Sequence, residues 1–216
     1  MSGDFSPPVT LWPKEPNHEA ALVVLLHGRG ADERDIASIA DVLPDEATYV
    51  AVRGPIVEGP GFAWFANLGV GQPVPESLGW VMDWFREWLE EVAPRERPVI
   101  LVGFSNGGAF AGALALADPS RYLGVAILSG TLPFGVDIPT TSSRLEGLSV
   151  FYSQGENDTV IPKALQTRTR DYLVGESGAT LEVSTDAGGH TISDRALQRL
   201  SSWIDGLIEH ATDASA

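Results

Sequence analysis

The sequence has no cysteine. That excludes disulfides, thiolate nucleophiles and Cys-ligated metals together. Lysine is nearly missing too: Lys14 and Lys163 stand against twelve arginines. Positive charge is scarce overall, with 14 Lys+Arg against 29 Asp+Glu and a formal net charge of −15. Nucleic acid and anionic headgroups repel such a polyanion, so the expectation is no nucleic-acid partner and no stable membrane association. The acidic excess fits a salt-loving source and a GC-rich genome equally. Long apolar runs are absent. The longest, Ala20 to Leu26, falls far short of the roughly 20 residues that a membrane-spanning helix needs. Met1 to Phe5 carries neither a basic n-region nor an apolar h-region, so a chain without a Sec-type signal and a cytoplasmic location are expected.

What is present is enough for one core. Of the 216 residues, 44% are hydrophobic and 20% charged, which suits a single globular domain over 1–216. Residues 1–18 read as a loosely ordered extension and 211–216 as a frayed tail. Short apolar runs alternate with helical patterns. Strands are expected at 20–26, 48–52, 99–102, 123–128, 148–152 and 180–185. Helices are expected at 32–43, 76–92, 106–117 and 162–174, and after Ser193. In 76–92, Leu78, Val81, Met82, Phe85, Trp88 and Leu89 recur at spacings of three and four, one face of a helix. Residues 53–75 are rich in Gly and Pro and read as one long loop. This β-α-β-α rhythm predicts an α/β fold: a mostly parallel central sheet with helices on both faces. Chemistry in such sheets gathers at the carboxyl ends of the strands.

One strand end carries a pattern with a mechanism. Gly103-Phe104-Ser105-Asn106-Gly107 is G-x-S-x-G between a strand and a helix. A serine on so sharp a turn crowds the residues two positions either side, and glycine relieves that. The hydroxyl is then presented at a helix N-terminus, where N–H groups face developing negative charge. The plain alternative is a Gly-rich turn with an incidental serine.

A nucleophilic serine needs a base, and the base needs an orienting carboxylate. Of the four histidines, His190 sits in the Gly-rich loop Asp186-Ala187-Gly188-Gly189-His190-Thr191 and follows the serine in chain order. It is the predicted base. His27 also follows a strand, but reads as a loop anchor. Asp158, after the turn at Gly155, is the predicted acid, with Asp186 and Glu156 as rivals. The order Ser105, Asp158, His190 suits this architecture. The oxyanion donors are expected to be the backbone N–H groups of Arg29, in His27-Gly28-Arg29-Gly30, and of Asn106. The Arg29 side chain has three readings: solvent exposure, pairing with Asp32 or another acid, or contact with an anionic substrate group. Phe62, Trp64, Phe65 and Leu68, with Leu132, Pro133 and Phe134, are candidate walls of an apolar substrate pocket, or else aromatics that pack the loop onto the sheet.

Taken together, LLHGRGAD, GFSNGG, GENDTVIP and GGHTI resemble the phospholipase/carboxylesterases, the small α/β-hydrolases that include the acyl-protein thioesterases. The resemblance runs from about Leu22 to about Ile208. It implies an α/β-hydrolase fold without a large lid domain, a Ser/Asp/His triad, and hydrolysis of carboxylic esters or thioesters. It implies no metal and no organic cofactor. The substrate would be a small-molecule ester or thioester, and a homodimer is compatible with it. Two positions depart from the family pattern: members often carry an apolar residue where Arg29 stands, and Gln or another residue where Asn106 stands. The same fold hosts lysophospholipases, perhydrolases, peptidases and acyltransferases, and a non-catalytic binding protein is the remaining alternative.

Overall fold

In the computed structural model, residues 5–213 are described. They form β1 (Thr10–Leu11), β2 (Leu22–Leu26), α1 (Glu33–Ala37), β3 (Thr48–Val52), β4 (Ile56–Glu58), β5 (Gly61–Ala63), β6 (Asn67–Gly69), β7 (Gln72–Pro73), α2 (Pro75–Val92), β8 (Val99–Phe104), α3 (Asn106–Ala117), β9 (Gly124–Leu128), β10 (Ser149–Gly155), α4 (Lys163–Gly175), β11 (Thr180–Asp186) and α5 (Asp194–Asp213). Seven strands make one sheet in the order β1-β3-β2-β8-β9-β10-β11. Every pairing in it is parallel except β1 with β3.

The two faces of the sheet follow from the alternation of side chains along each strand. Leu22, Val24 and Leu26 join one buried cluster with Phe85 and Leu89 of α2, Phe110 and Leu114 of α3 and Tyr172 of α4. Val23 and Leu25 join the other with Ile36 of α1 and Leu200, Trp203 and Ile204 of α5. Burial on both faces is why β2 reads LVVLL without a polar residue. Pro75 opens α2 at its first turn, where a missing N–H costs nothing. The Ser193 hydroxyl accepts from the Ala196 N–H and caps α5, as its sequence predicts.

Three expectations change. The helix expected over 32–43 is a single α turn that continues as a 3₁₀ helix over Ser38–Val42. The supposed loop 53–75 holds two short antiparallel hairpins, β4–β5 and β6–β7. Strands of two or three residues are too short for any period to show in sequence. From Phe5 onward the N-terminal extension is tied down rather than loose. Thr10 pairs with Val52, the Trp84 indole N–H donates to the Ser6 carbonyl, and the Phe5 and Trp84 rings meet edge to face. The last helix runs to residue 213; residues 1–4 and 214–216, the start of the extension and the end of the tail, lie outside the described residues. Among the described residues, no helix is long and apolar enough to cross a membrane.

Candidate active site

Ser105 occupies the N-cap of α3 with φ +53° and ψ −112°. That is left-handed backbone, which a serine adopts only at a cost of about 1–3 kcal/mol. The surroundings hold it there. The Ser105 N–H donates to the Leu128 carbonyl, and its carbonyl accepts from the Ala109 N–H. The two flanking glycines permit the turn. A Cβ on Gly103 would come 2.2 Å from the Gly107 carbonyl oxygen, and one on Gly107 would come 2.3 Å from that of Leu26. The elbow lies so close to its own helix and to β2 that no side chain fits at either position.

The hydroxyl meets an imidazole. Ser105 Oγ lies 2.8 Å from His190 Nε2, and His190 Nδ1 lies 2.8 Å from Asp158 Oδ2. With Nδ1–H donating to the carboxylate, Nε2 is left as the acceptor of the serine proton. The other Asp158 oxygen accepts from the N–H groups of Val160 and Ile161. Burial pushes the Asp158 carboxyl up, but the bonds from His190, Ile161 and Val160 outweigh it and hold the pKa below the usual carboxylate range. The Asp158 side chain is fully buried, while that of His190 is 17% exposed.

The imidazole is aimed by a clamp between two loops. The Asn157 N–H donates to the Gly188 carbonyl, and the Asn157 side-chain amide donates to that of Ala187. The Glu156 N–H donates to the Asp186 carbonyl. Gly155 lies beneath this crossing, where a Cβ would come 2.3 Å from the carbonyl oxygens of Gly188 and Gly189. Asp186, one rival acid, is occupied differently: its carboxylate accepts from the Gly188 N–H and the Ser193 hydroxyl. Glu156, the other rival, is exposed. The Phe104 ring packs against the imidazole, with centroids 5.1 Å apart.

Arg29 and Asn106 both line the cavity that opens on Ser105. Asn106 is the first residue of α3, so its amide has no intrahelical acceptor. Next to Arg29, the Gly30 N–H is spent on the Phe62 carbonyl and the Ala31 N–H on that of Gly28. No partner is found for the Arg29 amide among the described residues. The Arg29 guanidinium pairs with Glu58, not with Asp32. His27 anchors this loop, as its sequence position suggests. The Gly54 N–H donates to its Nε2, which puts the ring proton on Nδ1 to donate to the Gly28 carbonyl. Burial, more than any other influence, pushes the His27 pKa below the usual imidazole value.

The cavity measures about 320 Å³ and is walled by Phe65, Val70, Pro73, Ala109, Pro133, Val160 and Ile161, with Asn67 and Thr131 as polar members. Of the seven predicted wall residues, Phe65 and Pro133 face it. Trp64 is fully buried and stacks on Phe110 at 4.7 Å. Its indole N–H donates to the His27 carbonyl and its backbone N–H to the Asn106 side chain. It thus buckles the elbow to the Arg29 loop from behind. Leu132 is buried, with its methyl beside Gly112 of α3. Leu68 points outward and is 82% exposed. Phe62 lies under the Arg53 guanidinium, which forms a bidentate pair with buried Glu33. Phe134 packs against Arg168 and Tyr172, in a separate groove beside α4. Ala109, Val160 and Ile161 are wall residues within reach of a positional argument, the first one helical turn after Ser105 and the others two and three residues after Asp158. Asn67, Val70 and Pro73 had no such marker. No group of three His, Asp or Glu side chains is placed to hold a metal ion among the described residues.

Comparison with known proteins agrees with this architecture. Residues 11–208 match the family model for phospholipase/carboxylesterase. The putative hydrolase MhqD of Bacillus subtilis is 26% identical over 187 residues, spanning 84% of this chain and 91% of that protein. Carboxylesterase SOBER1 of Arabidopsis thaliana is 31% identical over 141 residues, or 62% of this chain and 61% of that one. The crystal structure of a Bacillus cereus carboxylesterase superposes with a TM-score of 0.80 at 24% identity, covering 93% of this chain and 94% of the other. With its parallel sheet, its glycine-flanked serine elbow and a family match over nearly its whole length, the chain belongs to the phospholipase/carboxylesterase family of α/β hydrolases.

Proposed function

We propose that the protein hydrolyses carboxylic esters through Ser105, His190 and Asp158 by way of an acyl-enzyme. The observation that carries this reading is the unbroken relay from the Ser105 hydroxyl through His190 to Asp158, with both contacts at 2.8 Å. Ser105 Oγ attacks the ester carbonyl carbon while His190 Nε2 takes its proton. The C–O double bond opens to an oxyanion, received by the N–H groups of Arg29 and Asn106. Each such donor is worth roughly 2.7–4 kcal/mol in the transition state. Asp158 holds the ring tautomer and stabilises the imidazolium. As the tetrahedral species collapses, the bond to the alcohol oxygen breaks and His190 returns the proton to it. Water then attacks the acyl-enzyme by the same relay, releasing the acid and restoring the serine. Thioesters, whose carbonyl is attacked in the same way, fall within this proposal.

A fluorophosphonate is expected to label the protein stoichiometrically at Ser105, and Ser105→Ala is expected to lose at least about a thousandfold of the esterase rate. Labelling at another residue, or unimpaired turnover in Ser105→Ala, overturns the proposal.

A further inference from the structure

We propose that Arg29 makes the Ser105 cavity selective for short esters carrying a carboxylate, in preference to neutral long-chain ones. This selection presupposes the hydrolase reading of Ser105.

The charge distribution points to it. The chain carries 29 carboxylate residues against 14 cations. Yet the residues lining the cavity on Ser105 include one arginine and no Asp or Glu. The nearby carboxylate of Asp158 lies buried behind His190 and accepts hydrogen bonds from His190, Val160 and Ile161. A substrate anion is repelled by most of the molecule, and at this cavity it meets a cation. Low-dielectric walls such as Phe65, Val70 and Ile161 strengthen that attraction.

The state of the guanidinium supports the role. Nε and Nη2 both donate to a single oxygen of Glu58, Oε1, at 3.0 and 2.7 Å. Among the described residues, Nη1 has no partner. The two side chains are 40% and 38% exposed. A pair so exposed contributes only about 0–1 kcal/mol. Glu58 therefore tethers the arginine without consuming it, and an incoming carboxylate can add to the fork or replace Glu58. The tether is anchored, because β5, the partner strand of Glu58, bridges to the Arg29 loop through Ala31 and Phe62.

The cavity volume, about 320 Å³, is at the small end for ligand sites.

The test compares kcat/KM within matched pairs. Methyl hydrogen succinate against methyl valerate places the carboxylate on the acyl side. 3-Acetoxybenzoate against 3-acetoxybenzamide places it on the leaving-group side. The wild-type protein is expected to favour the anionic ester by roughly tenfold in one arm, which identifies the side. The preference should shrink in about half-molar salt. Arg29→Gln should bring the ratio to near one, Arg29→Lys should keep part of it, and Glu58→Gln, which frees the fork, should raise it. A ratio at or below one in both arms overturns the proposal, as does a ratio that Arg29→Gln leaves standing. Should Arg29→Gln fail to fold, a ratio that neither Glu58→Gln nor salt moves is equally fatal. Flat ratios with Ser105 still labelled remove only the Arg29 selection. Absence of labelling and of all ester turnover removes the hydrolase reading with it.

Discussion

The elbow segment from Val99 to Ala117 and the hairpin segment from Arg53 to Val74 meet at the same cavity but hold it by different means. In the elbow, backbone crowds backbone: the two flanking glycines leave no room for a Cβ, and Ser105 sits in a strained conformation. In the hairpins, backbone leaves no room for a Cβ at Gly54 and Gly61 either, but side chains decide what faces the cavity. Neighbouring aromatics divide between the core and the cavity, with Trp64 buried behind the site and Phe65 at its wall. The elbow constrains which residues can be present at all. At the wall, apart from Gly71, what matters is which way each side chain faces. The difference is that chemistry is written in backbone geometry and selectivity in side-chain direction.

Mutations can break this contrast. The largest effect is expected within the hairpins. Trp64→Ala should destabilise the fold by about 3–5 kcal/mol, because it opens a hole beside Phe85 and Phe110 and removes two ties to the site. Its neighbour in the same segment, Leu68→Ala, should stay within about 0.5 kcal/mol. Denaturant titration of the two variants measures the gap, and equal losses would erase the division drawn here. Next comes Gly107→Ala. Its Cβ would force the elbow away from β2, and a displacement near 1 Å is expected to lower kcat/KM by about a hundredfold. A variant of full activity would show that the elbow is not tight.

A smaller effect is expected from the clamp behind His190. Asp186→Asn weakens the tie to Gly188 and Ser193 without touching the relay. We expect kcat to fall by roughly tenfold with KM little changed, and the pH profile of kcat/KM to shift, since the imidazole is less well aimed. A change in KM alone would assign Asp186 to the pocket instead.

The smallest effect is a pH dependence. Burial lowers the His27 pKa, so the unfolded chain takes up a proton before the folded one does. Stability from this residue is present above about pH 6.5 and is lost as pH falls toward the folded value. The Asp158 pKa is also lowered, and its contribution is lost only below about pH 4. Melting temperatures from pH 7 to 5 should therefore fall less steeply in His27→Gln than in the wild type. Parallel slopes would show that His27 does not titrate differently in the folded state.

The strands that carry the site were readable because each leaves a local signature. β2 and β8 are unbroken apolar runs, and their turns end in glycine. The relay residues were readable because each sits at a strand end in a turn-rich loop. Asp158 could not be separated from Asp186 on that ground, since both sit at the carboxyl end of a parallel strand. What separates them is contact: one carboxylate meets His190 and the other pins the loop that carries it. The candidate walls divide between pocket and core for a related reason. Composition marks Trp64, Leu132 and Phe134 as large and apolar, which suits a core and a pocket alike. The hairpins themselves are too short to announce a period.

The sequence by itself determined the layered α/β arrangement and the position of a serine on a turn that only glycine neighbours tolerate. Both follow from periodicity and from steric limits, which act over a few residues. The tertiary structure decided which carboxylate faces the imidazole, which aromatic lines the cavity, and that Glu58 rather than Asp32 holds Arg29. Those partners stand 29 or more residues apart in the chain. Their meeting depends on how strands register and loops cross, and no local pattern encodes that.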